Sequence, residues 1–155
     1  MKQNEMKFAK NETDTKFAVC AAEASMMEVK MAELALTNST TPEVKKLARH
    51  MLEEHKKTGK ELKVLAAKKN ITLPEKMGNK SQKMVDCMAK KQGEKFDKAY
   101  SGRLKKDHKR DIAVFKREAE KGNDADFRAF ATAKLQVLEK HLELTESASY
   151  AVNRK

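Results

Sequence analysis

Residues 51–62 read MLEEHKKTGKEL. Met51 and Leu62 stand on one helical face, and stepping between them by fours and threes lands on His55 and Thr58. An ionisable ring and a hydroxyl therefore occupy positions where a bundle seam takes Leu or Ile. A helical core accepts a histidine for one of two reasons: the ring completes a hydrogen-bonded polar cluster, or it holds a metal.

The same spacing continues in both directions. Residues 1–13 read as a flexible tail, and a helix free of Pro and Gly runs from Asp14 to Thr37. TNSTTPEV interrupts it. Thr41 is placed to cap the next helix, with Pro42 at its first position. That helix continues to Lys69, Asn70 stops it, and ITLPEKMGNK is a loop. Ser81 is placed to cap a short helix, SQKMVDCMAKKQ, which ends at Gly93. A long helix follows from Lys95 to Gly122. GNDAD turns the chain into a last helix ending near Val152, with 153–155 as a C-terminal tail. Short loops join the first two long helices and the last two, so each pair forms an antiparallel hairpin. The expected fold is all-α: a four-helix bundle spanning residues 14–152, with a short extra helix in the longer middle connection.

Composition agrees. The chain has 155 residues, 37% charged and 39% hydrophobic, with two Pro and five Gly, the balance of a helical domain. No apolar run is long enough to cross a membrane. The start, MKQNEMKFAKNETD, lacks the apolar centre of a signal peptide, as would a chain whose leader has been removed. A net charge of +11 raises nucleic acid and anionic membranes as partners. The lysines are spread along every helix without interleaved aromatics, so a solvated surface is expected and no specific nucleic acid. Cys20 and Cys87 form no CxxC. They read as two small buried hydrophobes, or as a disulfide in an oxidising compartment. Met26, Met27, Met31 and Met51 fall at helical spacing and read as core rather than as a copper site.

Each seam carries one strong ligand type. The first helix gives Phe17, Ala21, Ala24, Glu28, Met31 and Ala35. The second gives Val44, Ala48, Met51, His55, Thr58, Leu62 and Leu65. The third gives Leu104, His108, Asp111 and Phe115, and the fourth Ala131, Leu138, His141, Thr145 and Ala148. Three of the chain's four histidines lie on three different seams, and His50 lies off them. Glu28, His55, His108 and His141 would suit one divalent transition metal, Zn, Mn, Fe or Cu. Thr58, Asp111 and Tyr100 are candidates to orient the ligands. The alternative is a metal-free polar layer, in which Glu28 accepts hydrogen bonds from histidines and Thr58, Thr145 or Tyr100 completes the network. Counted from the helix ends, Glu28 and His55 differ in depth by about one helical turn. Hydrolase signatures such as HExxH are absent from the sequence.

The blocks AAEASMMEVKMAELAL, VKKLARHMLEEHKKTGKEL, ITLP, FDKAY, KKDHKRDIAVFKREAE and FRAFATAKLQVLEKHLEL together resemble the bacterial domain of unknown function 4142 family. Glu28, His55, Phe96, Asp97, Tyr100, His108 and His141 fall on the family's pattern; Lys134-Leu135-Gln136 departs from its common Leu-Pro pair. The resemblance implies a ferritin-like bundle and a periplasmic or outer-membrane-associated protein. It supplies no established reaction. One divalent metal held by Glu28, His55, His108 and His141 would give the chain a role in metal handling or envelope stress response. Di-iron ferritin-like sites use ExxH motifs, and the residues three before His55, His108 and His141 are Leu52, Lys105 and Leu138. A di-iron oxidase is therefore not expected, and an enzyme of any type is the lesser expectation. A non-enzymatic structural or interaction bundle with a metal-free His-Glu polar layer is the alternative function, and the chain is expected as a monomer or a dimer.

Overall fold

The structure is a computed structural model that describes residues 2–154, with side chains from Glu12 onward. Among the described residues there are five helices and no strand: α1 (Lys2–Asn38), α2 (Pro42–Lys68), α3 (Asn79–Ala89), α4 (Gly93–Lys121) and α5 (Ala125–Asn153). The helical backbone of α1 begins at Lys2 rather than at Asp14, the start expected from the sequence. No Pro or Gly stands in that stretch to stop it.

The hairpins α1–α2 and α4–α5 pack side by side, α1 against α4 and α2 against α5. The crossover between them returns the full length of the bundle. At its start the Lys69 ammonium pairs with Asp124 at 2.9 Å and Asp126 at 2.8 Å, beside the first turn of α5. At its end the Asn38 side-chain amide donates to the carbonyls of Ala89 and Lys91, at 3.3 and 3.0 Å. One long crossover between two hairpins is the connectivity of ferritin-like bundles. None of the helices is both long and apolar enough to cross a membrane, among the described residues.

Local chemistry sets the boundaries. At the end of α2, Asn70 adopts φ 58°. Its N–H bonds to the Ala67 carbonyl and that of Ile71 to Ala66, the paired closure of a Schellman motif. Asp124 caps α5 by accepting from the N–H groups of Asp126 and Phe127. Two expected caps act differently. Thr41 precedes α2, but its hydroxyl donates to Asp97 Oδ2 at 2.6 Å instead of closing the helix end. The short helix begins one turn earlier than expected, after Gly78, and Ser81 Oγ donates to Glu23 on α1. The cysteines are unpaired and both exposed, not buried: Cys20 lies on α1 and Cys87 on α3.

The core is divided. One apolar cluster lies toward the α1–α2 turn and includes Met31, Val44, Met51, Phe96, Leu104 and Val152. The other lies toward the α4–α5 turn and includes Phe17, Leu62, Phe115, Phe127 and Leu138. Each such side chain contributes about 1.5–3 kcal/mol on burial. Between the clusters the bundle has a polar waist of Glu28, His55, His108, Asp111, His141 and Thr145, all buried.

Candidate metal centre

Helices α2, α4 and α5 each bring one imidazole to the waist. The ring centroids form a nearly equilateral triangle, with His55–His108 at 5.6 Å, His55–His141 at 5.3 Å and His108–His141 at 5.4 Å. One ligand nitrogen from each ring lies within 4.8 Å of the others. A tetrahedral zinc ion with Zn–N of about 2.0–2.1 Å sets nitrogens about 3.3 Å apart, so the rings must draw closer together to hold one.

The tautomer of His108 follows from its neighbour. Its Nδ1 lies 2.9 Å from the Leu104 carbonyl. A carbonyl only accepts, so Nδ1 carries the hydrogen and Nε2 is left as a lone pair, the orientation that metal-bound histidines take. His108 Nε2, His55 Nε2 and both nitrogens of His141 are buried with no hydrogen-bond partner in the protein. Electrostatics keep the rings neutral. Burial holds His55 well below the usual histidine range, helped by His108, His141 and His50. Burial, with His108 and His50 beside it, pushes His141 down to about 3. Burial also lowers His108, against the pull of the Leu104 carbonyl and Asp107.

Glu28 is fully buried but stands outside this group. Its carboxyl is pushed well above the usual carboxylate range by burial and then by Asp107 and Asp111. Neither oxygen has a partner in the protein, nor has the Tyr100 hydroxyl, and burial raises Tyr100 well above its ordinary value, with Glu28 adding to it. The hydrogen bonds of the polar-layer alternative are thus not formed. Thr145 donates to the His141 carbonyl at 2.7 Å and bonds no ring. Of the orienting candidates, Thr58 and Asp111 line a cavity of about 20 Å³ beside His55 and His141, room for about one water. Burial raises Asp111 to about 6, against the pull of Arg110. Tyr100 instead stacks on Phe96 at 5.4 Å.

A family model described as a domain of unknown function (DUF4142) matches residues 1–147. The chain belongs to the domain of unknown function 4142 family. No curated protein and no solved structure matches the chain.

Two features of this family member escape the seam count. His50 lies off the seam in the sequence, yet its half-buried ring packs edge-on against His141 at 5.0 Å, because the flank of α2 faces α5. Asp107 is fully buried beside His108. It accepts from Arg103 at 2.9–3.2 Å and lies 3.7 Å from Arg110. The spacing Arg103–Asp107–Arg110, one helical turn each way, was the available signal. Lys134, at the family departure, lines the small cavity and pairs with Glu61 on α2.

Proposed function

We propose that the bundle binds one divalent transition metal through His55, His108 and His141, with the small cavity beside His55 and His141 as the place of a fourth, exchangeable ligand. The observation that supports this most is three neutral imidazoles from three helices, with ligand nitrogens within 4.8 Å and lone pairs that no protein group satisfies. Leaving so many buried polar atoms unpaired is costly, and one cation satisfies three of them together. Three protein ligands and an open position hold an ion that polarises a bound water or passes to an acceptor. A single site without ExxH motifs fits metal handling better than di-iron oxidation. The family resemblance supports placing that role in the bacterial envelope.

Thermal unfolding of tag-free protein tests the proposal. At a hundredfold excess over Kd, bound metal adds about 2.7 kcal/mol, a rise of roughly 5–10 °C in Tm for a chain of this size. That rise is expected with at least one of Zn²⁺, Mn²⁺, Fe²⁺ and Cu²⁺, and is expected to vanish in His141→Ala. Equal rises in the two proteins, or none with any of the ions, would contradict it.

A further inference from the structure

The crossover does not lie flat on the bundle. Between Ile71 and Met77 it bridges α1 and α2 over a groove of about 940 Å³, at the upper end of small-molecule sites. The floor is apolar, built from Ala22, Met26 and Val29 of α1, Ala66 of α2, and Ile71 and Leu73 of the crossover. The rim is cationic. Lys56, Lys60 and Lys63 follow one another at helical spacing along α2, and Lys76 lines the same groove from the crossover. Among the described residues none of these four lysines makes an ion pair. Glu75 is the single acidic residue of the lining.

Gly59 stands inside α2 and lines the same groove. Glycine weakens a helix interior, and packing does not require it here: a Cβ at this position would meet nothing within 4 Å. Its effect is to leave the groove open where the lysine row passes.

We infer that this groove binds a free single-chain anionic amphiphile, a fatty carboxylate, with its alkyl chain on the apolar floor and its head group at Lys56, Lys60, Lys63 and Lys76. Apolar burial supplies the attraction and the lysine rim selects for negative charge. The inference stands apart from the metal proposal, because the floor and rim are made by residues other than the histidine triangle. His55 touches both spaces, so the test is run in the presence of a chelator.

Calorimetric titration of the full tag-free chain with monomeric dodecanoate tests it. One equivalent is expected to bind saturably, and uncharged dodecanol about tenfold more weakly. Gly59→Leu puts a branched alkyl side chain at the groove, where the Cβ itself meets nothing within 4 Å. It is expected to keep or raise Tm and to weaken dodecanoate binding by about tenfold or more. The exposed pair Lys56→Glu/Lys60→Glu is expected to weaken binding to a similar degree, and it carries the test if Gly59→Leu misfolds. Absence of saturable binding, or unchanged affinity in the folded variants, would overturn the inference. So would capture by phosphatidylglycerol vesicles without uptake of monomeric dodecanoate, which would make the lysine rim a membrane-facing surface.

Discussion

The Nδ1–H of His108 is engaged by the Leu104 carbonyl, and this one bond aims Nε2 as an acceptor at a waist that already holds two other neutral rings. The inward positions of His55, His108 and His141 were legible in the sequence, because a seam advances by threes and fours whatever its residues are. The position of Glu28 was half legible. Its inward face followed from the same count, but its depth did not. It lies nine residues before Thr37, whereas His55 lies fourteen after Thr41, an offset of about one turn. Its carboxyl feels the charges of Asp107, Asp111, Arg110 and Arg103 and acts on Tyr100, and it is not one of the three residues whose ligand atoms lie within 4.8 Å of one another. Glu28→Met removes an unpartnered buried carboxyl at similar volume. It is expected to stabilise the metal-free protein by about 1–3 kcal/mol and to leave zinc affinity within a few-fold. Denaturant unfolding and zinc titration check both, and loss of zinc binding would make Glu28 a ligand.

At the scale of elements, the hairpins and their stops could be read from Pro42, Asn70 and the GNDAD turn, since those residues act locally. The clasp that joins them at the far end could not, because it depends on tertiary contact. Asp14 on α1 accepts from the backbone N–H groups of Asn123 and Asp124, at 3.2 and 3.0 Å. It also shares a hydrogen bond with Glu118 on α4. Burial, then that bond and the charge of Asp14, raise Glu118 from 4.5 to about 8. The folded state therefore binds a proton that the unfolded chain releases. The resulting stability is complete below about pH 4.5 and is lost as pH rises through about 8. Glu118→Gln keeps a neutral donor toward Asp14. Its Tm is expected to match the wild type near pH 5 and to exceed it increasingly up to pH 9. A difference that stays constant across that range would remove Glu118 as the titrating group.

Across the whole molecule, two apolar clusters enclose a buried polar waist. The four-helix architecture was legible from two short loops and one long one. The groove was not, because its volume arises from how the crossover bridges two helices, and no local pattern encodes that stand-off. The even spread of lysines likewise concealed the row that lines it. With the core complete on either side, the waist is free to carry ligands, and metal at the histidine triangle can be measured on its own. Elemental mass spectrometry measures it most directly, on tag-free protein loaded with each divalent ion and then exhaustively dialysed. The wild type is expected to retain close to one equivalent of one ion, and His55→Ala/His141→Ala close to none. No retained metal in the wild type, or equal retention in the folded double variant, would contradict the account.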